Sequence, residues 1–208
     1  MIVKTLAVGP IMANCHIVGC ASSKEAAVID PGDDADRILH TLAESQLTVT
    51  LILNTHGHFD HVGANRRLKE ATGAPLMVHE FDAPMLESLS QSASAWGLRA
   101  ENSPAPDQFI EDGDSLSVGE LSLSVIHTPG HTRGGVSFHS NGAVFVGDTL
   151  FAGSIGRTDF PGGDYETLIA SIQKKLFTLG DDVVVYTGHG PETVIGHEKR
   201  TNPFARIR

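Results

Sequence analysis

The amino-acid sequence predicts a single domain of the α/β class. Short apolar runs typical of β-strands alternate along the chain with amphipathic segments at helical spacing. No linker, composition break or low-complexity tract divides the 208 residues. That length is sufficient to bury a large core without stabilising cross-links. We therefore treat residues 1–208 as one folding unit.

The first half of the chain is predicted to begin with hairpins and to continue with alternating helices and strands. Strands are expected where runs are apolar, β-branched or alternating, at 2–8, 15–20, 25–30, 48–53 and 75–78. Helices are expected where apolar residues recur at helical spacing, at 33–46 and 65–72. The Asp-Pro-Gly sequence at 30–32 ends the third strand sharply.

The second half begins with the segment whose pattern is weakest. Residues 80–90 favour a helix, whereas 91–107 are rich in Ser, Ala, Pro and Asn and indicate a mobile connection or lid outside the core. Strands are expected after it at 115–118, 121–127, 135–139, 143–147 and 182–187, with a helix at 165–178.

Composition and charge exclude several classes of function. Lys and Arg number 15 against 25 Asp and Glu, and the resulting formal charge of -10 disfavours binding to nucleic acid. No apolar run is long enough to span a membrane, and the N-terminus lacks the apolar region of a signal peptide, which predicts a cytoplasmic protein.

Cys15 and Cys20 should point to opposite faces of one strand as buried, inert thiols.

The eleven histidines are unusual in number and in position. Three apolar strands lead into a Thr-containing loop that presents histidine, at 51–58, 124–131 and 183–189, and a fourth, at 143–148, presents aspartate. Because α/β folds place their sites in loops at strand ends, these groups can meet at one edge. The histidines outside the pattern are expected to be ordinary core or surface residues: His16, His40, His79, His127, His139 and His197.

The densest group of potential metal ligands is His56-Gly-His58-Phe-Asp60-His61. Imidazole and carboxylate together suit zinc, iron or manganese better than calcium or magnesium. Four donors on so short a loop favour two ions, with His56 and His58 on one and Asp60 and His61 on the other. The remaining ligands are expected from the other strand ends, at His131, Asp148 and His189, and the single Asp148 can bridge two cations.

Four stretches resemble the successive motifs of the metallo-β-lactamase-fold hydrolases. They are T-H-G-H-F-D-H at 55–61, T-P-G-H-T-R-G-G at 128–135, V-G-D-T-L-F at 146–151 and T-G-H-G-P at 187–191. The resemblance covers nearly the whole chain and implies a four-layer αβ/βα sandwich with a dinuclear metal site between two sheets. It implies that one ion is held by His56, His58 and His131, the other by Asp60, His61 and His189, with Asp148 bridging both.

Within this superfamily the chain is most similar to the short bacterial glyoxalase II-like hydrolases, through residues 153–163 and 196–204. The flavodiiron branch carries Glu where His58 stands, and secreted zinc β-lactamases tend to carry Cys where Asp148 stands. The nuclease branches need an insert domain too large for this chain. Zinc is therefore the metal we expect, with iron or manganese as alternatives.

The sequence departs from typical glyoxalase II enzymes in the parts that bind glutathione. It ends before a C-terminal helical domain could form, and it carries Asp159 and Pro191 where those enzymes have substrate-binding tyrosines. Arg157 matches a basic glutathione contact. We expect Arg157, together with Lys199 and Arg200, to bind a small acidic substrate.

Hydrolysis of a thioester suits this set of residues best. Two cations lower the pKa of bound water to about 7, and Asp60 can both ligate a cation and orient the resulting hydroxide. A thiol leaves readily as a thiolate, since its pKa is about 8.5, whereas an amide nitrogen needs a proton donor. S-lactoylglutathione or a related acyl thioester is the expected substrate.

Three alternatives remain open at this stage. Persulfide dioxygenases of the same superfamily also show G-R-T-D-F after the G-D loop and would use one iron on His56, His131 and Asp148. A hydrolase of another ester or lactone would use the same seven ligands. A non-catalytic metal-binding protein is disfavoured by so complete a set. The oligomeric state and the identity of the acyl group are not determined by the sequence.

Overall fold

Two six-stranded β-sheets pack face to face and carry helices on their outer surfaces. The structure is a computed structural model and describes residues 1–207. The layers run helix, sheet, sheet, helix, which confirms the expected four-layer αβ/βα sandwich.

The first sheet is formed by the N-terminal half of the chain. Its strands are β1 (Ile2–Val8), β2 (Ala13–Gly19), β3 (Glu25–Ile29), β4 (Thr48–Leu53), β5 (Leu76–Val78) and β6 (Gln108–Phe109), in that spatial order. The first three strands are antiparallel hairpins, and the pairs from β3 to β6 are parallel. Parallel pairs need crossovers, which contain α1 (Ala35–Glu44), α2 (Phe59–Val62), α3 (Asn65–Thr72), α4 (Ala83–Glu87) and α5 (Leu89–Ser94).

The second sheet is formed by the C-terminal half. Its strands are β7 (Ser115–Val118), β8 (Leu121–His127), β9 (Val136–Ser140), β10 (Ala143–Gly147), β13 (Val184–Thr187) and β14 (Thr193–Val194), in the spatial order β14-β13-β10-β9-β8-β7. A two-stranded ribbon, β11 (Leu150–Phe151) and β12 (Ser154–Ile155), follows β10. The outer layer contains α6 (Tyr165–Lys174), a 3-10 turn (Leu176–Thr178) and α7 (Ile195–Thr201).

Three apolar layers hold the four structural layers together. The middle layer, between the sheets, contains Ile29, Leu53 and Phe138, all fully buried. The outer layers pack helices on sheets, with Ile38 of α1 on the first sheet and Ile172 of α6 on the second. Burial of apolar surface on both faces of each sheet leaves the strand-end loops as the place for polar groups.

Most predicted elements are observed, and the main correction concerns residues 80–107. This segment forms α4 and α5 rather than one helix and a connection, and Leu89 and Ala93 are buried in the core. The expectation that residues 91–107 lie outside the core is therefore wrong at Ala93, and also at Ser103, whose backbone N–H donates to Leu86 O at 3.1 Å.

Two smaller corrections concern the C-terminal half. The helix expected over 165–178 ends at Lys174 and is followed by the 3-10 turn. The short elements β11, β12, β14 and α7 lack the length for a periodic signal and were not expected from the sequence.

The two cysteines are free and buried, as predicted. Cys15 packs in the layer between the first sheet and its helices, whereas Cys20 packs between the two sheets. The thiols therefore lie on opposite faces of the sheet, and burial raises the pKa of Cys15. Within residues 1–207, no helix combines the length and apolarity required to cross a lipid bilayer.

Candidate metal centre

The seven predicted ligands come together at one edge of the sandwich, in four loops that follow strands. The loop after β4 carries His56, His58, Asp60 and His61, and those after β8, β10 and β13 carry His131, Asp148 and His189. The two sheets contact each other at this edge, because Asn14 N of β2 donates to Gly188 O at 2.7 Å.

Three imidazoles form the first cluster, which consists of His56, His58 and His131. One nitrogen of each lies within 4.8 Å of the others, and His131 Nε2 is 2.9 Å from His58 Nδ1. His58 thus turns its Nδ1 toward the cluster while His131 turns its Nε2. The rings are packed edge to face, with centroids 4.6–4.9 Å apart. Such convergence of ring nitrogens matches the donor geometry of a zinc or iron site.

The second cluster consists of Asp60, His61 and His189 and lies beside the first. His61 Nε2 is 3.3 Å from His189 Nε2, and His189 Nε2 is 3.3 Å from Asp60 Oδ2. His61 is fully buried, whereas the side chains of Asp60 and His189 are 17% and 27% exposed. The second cluster therefore opens toward solvent on the side of Asp60 and His189.

Asp148 lies between the two clusters. Its Oδ2 is 3.6 Å from Nε2 of both His131 and His189, and its Oδ1 is 3.4 Å from His61 Nε2. Gly147, at φ 52°, allows β10 to turn at this point. A Cβ at Gly147 would collide with Thr55, and one at Gly188 would collide with Asp148 Oδ1. Both glycines are required for the close approach of the loops.

A buried carboxylate, Asp30, contacts His61 of the second cluster on the nitrogen that points away from the cluster. Its Oδ2 lies 3.0 Å from His61 Nδ1 and accepts a 2.6 Å hydrogen bond from Thr55 Oγ1, and its Oδ1 accepts one from Thr55 N at 2.7 Å. Thr55 Oγ1 in turn lies 3.0 Å from His56 Nδ1. Partners of this kind orient the ligating ring and increase its basicity.

A second buried carboxylate, Asp82, joins the two loops of the first cluster. Its Oδ2 accepts hydrogen bonds from Gly57 N at 2.9 Å and from Thr132 Oγ1 at 2.7 Å, and its Oδ1 accepts one from Gly134 N at 2.7 Å. Asp82 therefore fixes the loop of His56 and His58 against the loop of His131. On the outer side, His131 Nδ1 is 2.7 Å from the carbonyl oxygen of Arg157.

The two clusters differ in their electrostatics. Burial and the neighbouring imidazoles hold the pKa of His56 well below its ordinary value, and that of His58 falls to about 3 for the same reasons. Burial also opposes charge on His61, but the carboxylates of Asp148 and Asp60 raise its pKa well above the ordinary value. His56 and His58 therefore favour the neutral form, while the second cluster is a network of ion pairs.

Two buried atoms test whether this set of donors suits a metal. Among the described residues, His56 Nε2 and Asp148 Oδ1 are buried without a hydrogen-bond partner of acceptable geometry. A buried polar atom without a partner costs free energy, and both atoms face the space between the clusters. Divalent cations would satisfy both atoms, so the residues present fit two ions.

The three residues expected to bind substrate are placed differently from one another. Arg157 lies at the rim of the first cluster, where its guanidinium packs 3.6 Å from the Phe160 ring centroid and forms two hydrogen bonds with Asp159, at 2.8 and 2.7 Å. The Phe160 ring is in turn 6.0 Å from that of His58.

Lys199 and Arg200 are not brought to the centre. Lys199 Nζ is 2.9 Å from Asp181 Oδ1, and Arg200 also pairs with Asp181, at 3.9 Å. Asp181 precedes β13 whereas His189 follows it, so both cations lie at the opposite end of that strand. They pair there because β14 runs antiparallel to β13 and returns the chain to Asp181, where Gly196 N at the start of α7 donates to Asp181 O at 2.9 Å.

The remaining histidines occupy core and surface positions, as predicted. His40 and His197 are exposed, His16 and His79 are buried, and His127 and His139 are half-buried. The site residues that sequence reasoning missed are Asp30, Thr55 and Asp82. Asp30 ends an apolar strand in the same way as Asp148, and this repetition was the available signal. Asp82 follows no such strand end and carries no comparable signal.

The fold and the site together define a metal-dependent hydrolase whose candidate ligands come from both halves of a double sheet. The metallo-beta-lactamase superfamily model matches residues 8–189, and the chain belongs to that superfamily. It is 42% identical to the hydroxyacylglutathione hydrolase GloC of Haemophilus influenzae over 208 residues, covering 98% of each chain.

Two solved structures are also similar along the whole chain. A B3 metallo-beta-lactamase, BLEG-1, superposes with a TM-score of 0.92 at 38% identity and covers 98% of this chain and 99% of its own. TTHA1623 in a di-iron-bound form superposes with a TM-score of 0.89 at 40% identity. The match covers 97% of this chain and 99% of TTHA1623. The fold is thus shared with a protein described as a B3 metallo-beta-lactamase and with one described in a di-iron-bound form.

Proposed function

We propose that the protein is a thioester hydrolase of the glyoxalase II type, with zinc as its metal. The observation that carries this proposal is the pair of clusters with Asp148 between them, in which two buried donor atoms lack partners. The similarity to a hydroxyacylglutathione hydrolase supports the choice of thioester. S-lactoylglutathione is accordingly the first substrate to test.

Each cluster would provide the ligands of one ion. His56, His58 and His131 would hold one ion, Asp60, His61 and His189 would hold the other, and Asp148 would contact both. When bound, two divalent cations lower the pKa of water from 15.7 to about 7 and polarise a substrate carbonyl. Asp60, on the open side of the second cluster, would also orient the attacking water through its carboxylate.

The leaving group favours a thioester over an amide. In hydrolysis, a water oxygen bonds to the acyl carbon, the C–S bond breaks, and a proton from water ends on the departing sulfur. Since a thiol has a pKa of about 8.5, it can leave as a thiolate before it is protonated. An amide nitrogen must be protonated as it leaves, and the carboxylates and imidazoles at the centre are all assigned to the metal ligand set or its supports.

Acidic substrates would contact Arg157 at the rim of the first cluster. Its guanidinium can bind a carboxylate through two hydrogen bonds, but Asp159 occupies that position in the free protein. A substrate carboxylate must therefore displace Asp159, which predicts a weak contribution. Lys199 and Arg200 are omitted from this proposal because they pair with Asp181.

Metal analysis combined with a panel of substrates tests the proposal. Protein reconstituted with zinc should contain two ions per chain and hydrolyse S-lactoylglutathione and a neutral thioester, but hydrolyse a β-lactam far more slowly. Preferred hydrolysis of the β-lactam would replace the thioesterase assignment. One iron per chain, together with oxygen uptake on glutathione persulfide, would favour the dioxygenase alternative.

Two further expectations belong to this proposal. We expect residues 1–208 to act as one hydrolase domain, and we expect the protein in the cytoplasm, which agrees with two free, buried thiols. Proteolysis should give one resistant core, and cell fractionation tests the location.

A further inference from the structure

A cleft opens beside the second cluster and is continuous with it. Its volume is about 100 Å³, and it lies between the β1–β2 turn, the backbone at Gly32 and the chain after α5. Asp60 belongs both to the second cluster and to the lining of the cleft, so a molecule whose reactive carbonyl lies at the clusters can extend into it. None of the seven candidate ligands except Asp60 lines the cleft.

Most of the side chains that line this cleft are apolar. Val8 and Ile11 line it from the β1–β2 turn, and Ala93, Leu98 and Ala100 line it from α5 and the chain after α5. The two other charged side chains, Asp33 and Arg99, have opposite signs and are both exposed at the rim. The cleft therefore has little net charge and does not select for an anion.

A peptide-like thiol group would not be well matched to these walls. Glutathione carries amides and carboxylates, each of which loses hydrogen bonds to water when it is buried against Val8, Ile11 and Leu98. An aliphatic chain has no such cost and gains free energy for each methylene removed from water. The lining thus discriminates by polarity rather than by charge.

We propose that this cleft binds the acyl half of the substrate and selects short, unbranched aliphatic acyl groups. The proposal rests on the proposed thioesterase function and specifies its substrate class. The carbonyl lies at the clusters, the aliphatic chain passes Phe59 into the cleft, and the thiol half lies outside toward Phe160 and solvent.

The single tryptophan provides a reporter for binding in this cleft. Trp96 is 55% exposed, lies between the lining residues Ala93 and Leu98 in the chain, and has its ring centroid 6.4 Å from that of Phe59. An aliphatic chain alongside Phe59 changes the surroundings of the indole, so Trp96 fluorescence should respond to ligands that enter the cleft.

A series of acyl N-acetylcysteamine thioesters tests the inference, because the thiol half stays short and constant. Full burial of a methylene is equivalent to about fourfold in binding, or about 0.8 kcal/mol. Since the cleft is open on one side, we expect kcat/KM of the metal-loaded protein to rise about tenfold from acetyl to hexanoyl, through KM. Equal values for the two would overturn the inference and leave the thioesterase proposal intact.

Two adjacent substitutions in the β1–β2 turn provide a matched pair. Ile11→Asn places an amide on the apolar wall and should reduce the hexanoyl preference to less than about threefold, with the acetyl ester unaffected. Met12→Asn changes the next residue, which is 58% exposed and does not line the cleft, and should keep the full preference. Leu98→Asn alters a lining residue from another part of the chain and should act as Ile11→Asn does. A retained preference in both wall variants would overturn the inference.

Binding of the free acid separates the two proposals. Hexanoate should shift the Trp96 emission of the wild-type protein at concentrations at which acetate does not, with or without metal, and the shift should weaken in Ile11→Asn. If no thioester is hydrolysed while hexanoate still binds, the thioesterase proposal fails. The assignment of the cleft as a binding site for aliphatic chains then still stands. Equal responses to hexanoate and acetate would refute the assignment of the cleft.

Discussion

The two clusters of the metal centre are held in place by different kinds of partner. In the first cluster, the outward nitrogens of His56 and His131 contact a hydroxyl, on Thr55, and a backbone carbonyl, on Arg157. In the second, His61 contacts the carboxylate of Asp30, and Asp60 is itself a member of the cluster. The first cluster thus depends on neutral contacts and loop geometry, and the second on charge.

This difference predicts how each cluster responds to damage. Loss of a carboxylate that contacts the outer nitrogen of an imidazole directly weakens the attraction of that ring for a cation. Loss of a carboxylate that hydrogen-bonds two loops together instead changes the distance between the ligands on those loops. Asp30 and Asp82 represent the two cases, since both are 1% exposed and each accepts several hydrogen bonds. Asp148 belongs to both clusters, and its loss should not discriminate between them.

The largest effect is expected for Asp148→Asn. The substitution keeps the size of the side chain but removes the charge placed between His131 and His189. We expect loss of at least one ion per chain and a decrease in turnover of more than a hundredfold, a larger loss than outer partners cause. Elemental analysis, the hydrolysis rate and circular dichroism measure these three properties. Two retained ions with full activity would remove Asp148 from the centre.

Asp30→Asn should lower metal affinity by about 10–100-fold, which is the range for an outer partner of a ligating histidine. The loss should fall on the second ion, because His61 contacts Asp30 directly at 3.0 Å while His56 does so only through Thr55. Competitive titration with a chelator resolves the two binding steps. Equal weakening of both steps would show that Thr55 couples the clusters.

Asp82→Asn should act on the first ion and on stability together. An amide cannot accept from all three donors that Asp82 now satisfies, and each buried donor left without an acceptor costs roughly 1–3 kcal/mol. We expect a decrease of at least about 2 kcal/mol in the free energy of unfolding by urea, measured without metal, and weaker binding of the first ion.

Asp164→Asn is the matched control for Asp82→Asn. Asp164 caps α6 by accepting from Thr167 N, and Asn serves almost equally well at that position. Its stability and metal binding should stay at the wild-type values. If the Asp82 variant also keeps wild-type stability and metal binding, the hydrogen bonds of Asp82 to the two loops do not contribute to either property.

The smallest effect is expected for Arg157→Ala. The variant keeps the backbone carbonyl that contacts His131, so metal content should not change. Because Asp159 already occupies the guanidinium and the pair is exposed, we expect KM for S-lactoylglutathione to rise only about two- to threefold. Asp159→Ala should lower that KM by freeing Arg157. A neutral thioester serves as the control and should respond to neither substitution.

The sequence by itself determined which residues could meet at the centre. Local periodicity identified the strands that end at His56, His131, Asp148 and His189, because alternation and apolar runs are encoded within a few residues. The same pattern predicted that these loops share an edge, and the structure brings all seven donors there. The motifs in these loops carried the resemblance to the superfamily, and residues 153–163 and 196–204 carried the resemblance to its glyoxalase II-like branch.

Tertiary structure decided what surrounds those residues. Asp82 contacts Gly57 and Thr132, which lie 25 and 50 residues away, and Lys199 pairs with Asp181 rather than with a substrate. The cleft next to Asp60 likewise combines the β1–β2 turn with the chain after α5. Contacts of this kind depend on how whole layers pack, and no local pattern encodes the position of one layer relative to another.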